Sequence, residues 1–292
     1  MKQIISITVL ILVILFAQEF TYTQTLYNGI GHIPSSYQET WTNAGLLSDA
    51  PAITPKAVFV VPNMSGTTMD QKVAAAINIA RSFVSGTNGL AIVYFPEGTF
   101  YLNNKIALNQ NDRNIVFQGA GSDQTTLVFQ NIANDYCFYI AGSAGTWSSN
   151  SDLDQDFDKG DSILHAASGY GLSSLSAGDW VHFVKYNFDY NTPHPPIVSD
   201  IVGQITRLEA KGTDATGEWG EIKDEANMNY EDSPNTLYSL RIRKINPIKN
   251  IGIEDLKIIR SPNEKASVYV YNIFFEYAIN CWVRGVESYK PS

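Results

Sequence analysis

The chain has 292 residues, of which 44% are hydrophobic, and this composition is enough to bury a substantial core in one large or two medium domains. It therefore excludes a disordered chain. The formal net charge is −9, which opposes nucleic acids and anionic membranes as partners.

The N-terminus has the pattern of a signal peptide. A positively charged start precedes residues 4–16, a run of 13 residues that is apolar apart from Ser6 and Thr8. A transmembrane helix needs roughly 20 residues, so this run predicts a cleaved export signal over residues 1–23. We expect a secreted, cell-surface or periplasmic mature chain without a membrane span. Residues 24–55 are rich in Ser, Thr, Pro and Gly and predict an extended arm.

The first regular elements after the arm are a capped helix and several short apolar strands. Thr67 and Thr68 can cap the free amides of a helix over residues 70–84, and Gly86 and Gly89 can end it. Apolar residues at spacings of three and four give this helix a stripe to bury. The strands predicted after it are residues 91–95, 99–102 and 114–118.

Apolar strands recur along the chain at an almost constant interval. Residues 92–94 return as 115–117 and again as 138–140, each time after 23 residues. Residues 250–254 return after 22 residues as 272–276. Strands at this period, separated by Gly, Asn and Asp turns, predict coils of a parallel β-helix whose exposed end the helix caps. A leucine-rich repeat is the alternative, but its leucine lattice is missing from the sequence.

The repeat fails between residues 143 and 246. Within this stretch, residues 237–245 alternate apolar with polar side chains, which is typical of half-buried antiparallel strands. We therefore predict an all-β protein with an inserted subdomain. Its parts are a cap helix with the first coils over residues 56–142, a small antiparallel β subdomain over 143–246, and further coils over 247–292.

Four segments carry a resemblance to a known family. They are VYFPEGTFYL (93–102), NIVFQGAG (114–121), GDWV (178–181) and NPIKNIGIEDL (246–256). Together with the cap helix, these segments resemble the N-terminal portion of the pectate lyase superfamily, which includes polysaccharide lyases and glycoside hydrolase family 28-like proteins. Such turn, cap and ladder residues specify a fold strongly and a chemistry weakly.

The resemblance implies a right-handed parallel β-helix that acts on polysaccharides. It covers residues 58–142 and 247–289, and it implies either β-elimination of a uronate-containing polymer or glycoside hydrolysis by paired acids. Members of the superfamily usually continue for several more coils that carry their catalytic groups. We therefore expect this sequence to be a fragment of a longer protein.

Glu254 and Glu276 are the candidate catalytic residues for hydrolysis. The 22-residue shift assigns them the same place in adjacent coils, which would bring their carboxyl groups to roughly 5 Å, the separation of retaining glycoside hydrolases. One would act as the acid and the other as the nucleophile. The alternative is that both are ladder or turn residues whose side chains diverge into solvent, because stacked like charges are destabilising.

Other polar residues suggest metal, base or redox chemistry. Hard oxygens at alternate positions of an acidic run suit Ca²⁺, although a solvated acidic loop explains the run equally well and no cofactor is required. The run consists of Asp152, Asp154, Asp156, Asp158 and Asp161. Three histidines, His165, His182 and His194, lie in the insertion; His182 is a candidate base or an ordinary half-exposed strand residue, and His194 between two prolines indicates a loop. Cys137 and Cys281 either pair in an oxidising compartment or remain free thiols.

Basic residues concentrate around the second block of repeats. A lyase needs a cation to neutralise the uronate carboxylate and a base, often Lys or Arg, to remove the neighbouring proton. The candidates are Arg241, Arg243, Lys244, Lys249, Lys257 and Arg260. Improved solubility of exposed strand edges would explain the same residues.

These observations predict a secreted, carbohydrate-active protein that cleaves a polysaccharide by β-elimination or by hydrolysis. A polysaccharide is the expected partner, and nucleic acid is not. The strongly acidic chain favours hydrolysis or a weakly charged substrate, because polyanions would be repelled. The competing interpretation is a non-catalytic glycan-binding or adhesive protein, since the same fold serves as a rigid rod.

Overall fold

The computed structural model describes residues 53–130, 132, 135–147, 153, 157–185, 202–230, 240–261 and 271–289. The chain divides into two units, Met1–Ala44 and Gly45–Ser292, and every described residue belongs to the second. The predicted signal peptide and nearly all of the predicted arm lie outside the described residues. Within the described part, no helix has the length and apolar character needed to cross a membrane.

The described residues form mostly β-structure with one α-helix, in agreement with the predicted all-β class. A short 3₁₀ turn, Val61–Asn63, precedes the helix α1, Met69–Thr87. The strands are β1 Lys56–Val60, β2 Leu90–Tyr94, β3 Gly98–Leu102, β4 Ile106–Leu108, β5 Arg113–Gln118, β6 Thr125–Gln130, β7 Phe138–Ala141, β8 Ser143–Ala144, β9 Ile163–Ala166, β10 Trp180–Lys185, β11 Val202–Thr213, β12 Glu218–Ile222, β13 Arg241–Asn246, β14 Ile248–Glu254, β15 Lys257–Ser261, β16 Ile273–Glu276, β17 Ala278–Ile279, β18 Trp282–Arg284 and β19 Glu287–Tyr289.

Consecutive strands of the chain enter three different parallel sheets in turn. The first parallel sheet has the order β1-β2-β5-β14-β17, with β18 also paired to β14; the second contains β3, β6, β15 and β19, and the third contains β4, β7 and β16. Strands β2, β3 and β4 thus enter the three sheets in succession, and β5, β6 and β7 then pair with them in the same order. Together with α1, these sheets are called the parallel region below.

The register of the parallel sheets corrects the predicted repeat. Ile92 lies opposite Val116, one position away from the predicted partner. Phe138 belongs to the third sheet and lies opposite Ile106, so its predicted alignment with Ile115 is wrong. Apolar triplets look alike in every sheet, and the pattern therefore identifies strands without saying which sheet each one enters.

The remaining six strands form one antiparallel sheet, called the antiparallel region below. Its order is β8-β13-β10-β11-β12-β9, and all six strands lie between Ser143 and Asn246. The chain then returns to the parallel region, where β14 pairs with β5. The boundary between the two regions falls at Pro247, between the end of β13 and the start of β14.

Helix α1 begins at the predicted cap but ends later than predicted. Thr68 accepts a hydrogen bond from the Gln71 amide, and the Gln71 side chain accepts one from the Thr68 amide, which completes a capping box. The helix passes through Gly86 and ends at Asn88, a left-handed C-cap residue, so the predicted glycine stop is wrong. A left-handed Asn satisfies the same requirement at a helix end as glycine does.

Asparagines with positive φ occur at or near the start of four strands of the first parallel sheet: just before β2 and β18, and within the first residues of β5 and β14. Asn88, Asn114, Asn250 and Asn280 have φ between 51° and 57°. The Asn250 side-chain amide donates to the Asn114 side-chain oxygen at 2.8 Å, and the Asn114 amide donates to the Asn88 carbonyl at 3.3 Å. These bonds form an asparagine ladder that repeats one turn geometry from strand to strand.

The two regions have separate hydrophobic cores. One core packs α1 against the three parallel sheets, and its Phe117 and Phe138 meet edge to face at 5.4 Å between ring centroids. The other lies on the antiparallel sheet around Phe183 and Tyr230. Cys137 and Cys281 are both free, which removes the disulfide interpretation. Burial raises the pKa of these thiols to about 12 and about 11, respectively.

Candidate functional site

The predicted acid pair does not stack. Glu254 ends β14 in the first parallel sheet, where its register neighbours are Gln118 and Arg284. Glu276 ends β16 in the third parallel sheet, opposite Ala141. The predicted adjacency is therefore wrong, because the 22-residue shift relates two strands of different sheets. The geometry that motivated retaining hydrolysis by this pair is absent, and the catalytic roles themselves stay untested predictions.

Glu254 is a buried carboxylate that accepts three hydrogen bonds. Only 7% of the residue is exposed, and it accepts hydrogen bonds from Trp282 Nε1 at 2.7 Å, Arg284 Nη2 at 2.9 Å and Gln118 Nε2 at 3.1 Å. The indole of Trp282 lies over Gly252, where any larger residue would overlap it. Three donors on one carboxylate favour a role in joining adjacent strands.

Most of the other predicted metal and base residues have structural surroundings or fall outside the described residues. The first three aspartates of the acidic run and His194 are outside them. Asp161 accepts a bond from the Asp158 amide at 3.0 Å, and the described residues contain no cluster of three metal-ligating side chains. His165 lies on β9, and His182 on β10 packs against the rings of Trp147 and Tyr277.

The structure separates the predicted basic cluster. The guanidinium groups of Arg241 and Arg243 lie over the Trp147 ring, and Lys257 pairs with Glu287. Arg260 is buried and donates to backbone carbonyls. Lys244 and Lys249 remain, and both line one cleft.

This basic cleft has a volume of about 380 Å³ and lies at the boundary between the two regions. Three segments form its walls: residues 110–113 before and at the start of β5, residues 178–180 at the start of β10, and residues 244–249 from β13 to β14. The two regions therefore meet here through the ends of their strands.

The carboxylates of the basic cleft are already paired. Asp112 forms an ion pair with Arg81 of α1 at 2.6 Å, and its side chain is almost completely buried. Asp179 pairs with Lys244, also at 2.6 Å. Among the described residues, no carboxylate is left in the cleft to neutralise another cation.

Lys249 and Arg113 supply the excess positive charge. They are Cα partners on the adjacent parallel strands β14 and β5, an arrangement in which like charges repel. The Lys249 ammonium lies 5.1 Å from the centroid of the Trp180 ring. Burial, and then the charge of Arg207, lower the pKa of Lys249 below its ordinary value. A bound anion between these cations would relieve the repulsion.

Sequence reasoning found Lys244 and Lys249 but missed the rest of the cleft. Arg113 and Trp180 were not predicted as site residues, because each has the pattern of an ordinary strand residue. The available signal was their position, since Arg113 opens the strand that resembles a family motif and Trp180 lies within GDWV. Their meeting depends on long-range pairing that spacing along the chain does not reveal.

Comparisons with known proteins add a weak likeness of fold. No protein-family model and no curated protein matches the sequence. The Gp54 tailspike of Acinetobacter baumannii bacteriophage AP22, solved with an A. baumannii capsular saccharide, is similar at 16% identity and a TM-score of 0.43, over 76% of this chain and 32% of the tailspike. A structure described as a glycoside hydrolase is similar at 8% identity and a TM-score of 0.24, over 70% and 50% of the two chains.

This chain therefore spans about a third of the length of the tailspike that it resembles. At these identities and scores, the likenesses carry no information about activity. The resemblance to the pectate lyase superfamily finds no support in the family comparison and stays a prediction.

Proposed function

We propose that the protein binds an acidic, uronate-containing polysaccharide in the basic cleft and cleaves it by β-elimination. The observation that carries the proposal is Lys249, a partly buried lysine with a lowered pKa. Its register partner on the adjacent strand is Arg113, and it has no carboxylate partner among the described residues. The chain as a whole is acidic, so this local excess of positive charge marks where a polyanion would be attracted.

The cleft contains the two kinds of group that β-elimination requires. A guanidinium such as Arg113 would neutralise the uronate carboxylate and so acidify the proton on the neighbouring carbon. Lys249 in its amine form would take that proton, and the electron pair of the C–H bond would form a carbon–carbon double bond as the glycosidic C–O bond breaks. The departing oxygen would take a proton from water, and the Lys249 ammonium would then return its proton to the solvent. A lowered pKa increases the fraction of amine near neutral pH, which a general base needs.

The proposal extends to fold and location. Strands that enter three parallel sheets in a repeating order support a right-handed parallel β-helix, with the antiparallel region inserted between its coils. The hydrophobic run at residues 4–16 supports export. Calcium dependence stays an untested prediction, because the acidic run lies largely outside the described residues.

The test measures the turnover of polygalacturonate and alginate through the ultraviolet absorbance of the unsaturated uronate product. Lys249→Ala should lower the rate by about 10²–10⁴-fold, the usual contribution of general base catalysis. Lys249→Arg keeps the charge, but a guanidinium gives up its proton far less readily near neutral pH than a lysine with a lowered pKa, so this variant should retain binding and lose most of the turnover. Lys223→Ala, which removes an exposed lysine of the antiparallel region, is the matched control and should be unchanged.

Other outcomes separate the alternatives. New reducing ends without unsaturated product would identify a hydrolase and overturn β-elimination. Binding of the polyuronate without either product would identify the non-catalytic glycan-binding protein, with Lys249→Ala weakening that binding. If neither binding nor cleavage is detected, the assignment of the cleft is wrong.

A further inference from the structure

Arg207 lies at the wall of the basic cleft, although it belongs to the antiparallel region. It is part of β11, where its Cα partner is Trp180 of β10, one of the cleft residues. Its Nη2 atom lies 3.8 Å from the point that a Cβ of Gly178 would occupy, and Gly178 also lines the cleft. The Arg207 guanidinium is therefore within van der Waals distance of the cleft wall.

Backbone hydrogen bonds fix the position of Arg207 relative to that wall. The amide of Leu208, the next residue, donates to the Asp179 carbonyl at 2.8 Å, and the Leu208 carbonyl accepts from the Gly178 amide at 2.6 Å. The Arg207 carbonyl itself accepts from the Lys223 amide at 2.9 Å. The strand that carries Arg207 is thus bonded directly to the segment that forms one wall of the cleft.

The side chain of Arg207 is only weakly engaged by the protein. Its Nε atom lies 3.8 Å from Glu209 Oε1, and the two side chains are 46% and 43% exposed. This separation is too long for a hydrogen bond, and such exposed pairs contribute little to stability. Among the described residues, no hydrogen bond engages the Arg207 guanidinium, so its N–H groups are available to a ligand.

Arg207 adds a third cation to the pair formed by Lys249 and Arg113. Trp180 connects them, because it is the cross-strand partner of Arg207 and its ring centroid lies 5.1 Å from the Lys249 ammonium. The charge of Arg207 contributes, after burial, to the lowered pKa of Lys249. Cations gathered in this way repel one another, and a ligand with more than one carboxylate relieves more of that repulsion than a single anion does.

We propose that Arg207 forms a second carboxylate subsite, so that the antiparallel region binds one uronate while Arg113 and Lys249 bind the next one along the polysaccharide. This inference rests on the proposed function, because it assigns a further residue to the same cleft. It specifies a ligand with free carboxylates on consecutive sugars. Arg207 acts in binding and specificity and takes no part in proton transfer.

The test uses two ligands with the same backbone, polygalacturonate and a highly methyl-esterified pectin, in affinity electrophoresis of the purified chain. Esterification removes the charge of most carboxylates, so consecutive free uronates are rare in the second ligand. Arg207→Ala should weaken the binding of polygalacturonate about tenfold and that of the esterified pectin much less. Arg207→Lys keeps the charge and should recover part of the lost affinity.

A matched control and a second measurement separate a local role of Arg207 from a general effect of charge. Lys56→Ala removes the same charge from an exposed residue of β1, outside the cleft, and should bind both ligands as the wild type does. Removing the Arg207 cation should also raise the pKa of Lys249, because the charged ammonium is then less disfavoured. The rise of turnover with pH should therefore move to higher pH in Arg207→Ala.

Several results would overturn the subsite and leave the proposed function intact. They are unchanged binding of polygalacturonate by Arg207→Ala while Lys249→Ala weakens it, equal weakening of both ligands by Arg207→Ala, and an unchanged pH dependence of turnover. Polygalacturonate binding that requires Arg207 but yields no unsaturated product would support the subsite and contradict β-elimination. If the wild-type chain binds neither ligand, both the cleft and the subsite are wrong.

Discussion

The centre of the first parallel sheet and the antiparallel region bury their strands in different ways. In β5 of the parallel region, four consecutive residues are buried, from Asn114 to Phe117. In β9 of the antiparallel region, the buried residues Leu164 and Ala166 alternate with more exposed ones, as expected of a sheet with one face on a core. The burial pattern of a strand therefore reports how many of its faces are covered, and strands β3, β4 and β15 of the parallel region show the same one-sided alternation as β9.

Polar side chains also differ between the interior of the parallel region and its boundary. Within the parallel sheets, Asn250 and Glu254 repeat or join the turns of neighbouring strands and find partners there. At the boundary with the antiparallel region, the repeat is interrupted and Lys249 faces Arg113 instead of a complementary group. Within the described residues, the uncompensated positive charge therefore lies where the ladder meets this boundary.

The largest expected effect tests whether the two cores are independent. Phe117→Ala and Phe183→Ala each remove a fully buried ring, one from each core, and each should lower the free energy of unfolding by about 3–5 kcal/mol. Because the cores share no residue, the double variant should show the sum to within roughly 0.5 kcal/mol. Urea denaturation of the three variants measures this, and a coupling above about 1 kcal/mol would mean that the regions act as one core.

A smaller effect tests the asparagine ladder that only the parallel region has. Asn250→Ala should lower the free energy of unfolding by about 2 kcal/mol, because alanine is strained at positive φ and the bond to Asn114 is lost. Asn250→Gly tolerates that backbone and should lose only the bond, about 1 kcal/mol. Urea midpoints compare the two variants. Equal losses would show that backbone strain contributes nothing at this turn.

The smallest effect concerns Lys249, the lysine at the boundary that has no carboxylate partner among the described residues. The folded state lowers the pKa of Lys249, so between that value and the ordinary one the unfolded chain binds more protons and stability rises with pH. The penalty is present in full below the folded pKa. Lys249→Met should therefore stabilise the protein slightly at neutral pH, by less than about 0.5 kcal/mol, and lose this advantage above pH ~10.4.

Thermal unfolding at several pH values measures this change, with Lys223→Met as the exposed control. If Lys249→Met is less stable than the wild type at neutral pH, Lys249 has a stabilising partner. The boundary would then not differ from the asparagine ladder in how its polar side chains are paired. Added polyuronate should stabilise the wild-type chain but not Lys249→Met, because the bound anion would stabilise the charged lysine. The wild type would then be the more stable of the two.

Local features were the ones that the sequence predicted well. The helix start at Thr68 and the strands around Val93, Phe117 and Ile242 follow from capping and from apolar patterns over a few residues. The helix end was missed because Asn88 takes the left-handed conformation that glycine was expected to supply.

The candidate site was predicted only in part. Lys249 was recognised as a candidate base from its charge, whereas the Glu254–Glu276 pair was chosen from a repeat whose two members belong to different sheets. A shift of 22 residues cannot separate neighbours within one sheet from strands of different sheets, because both recur after similar lengths of chain.

The sequence by itself determined that this protein has a capped helix, short apolar strands and an interrupted repeat, since these depend on interactions among residues a few positions apart. Tertiary structure alone decided which strands are neighbours. Lys249 meets Arg113 through pairing across more than a hundred intervening residues, and Tyr139 meets Phe274 in the same way. Long-range register places charges and rings beside each other, and for that reason the basic cleft appeared only once the sheets were known.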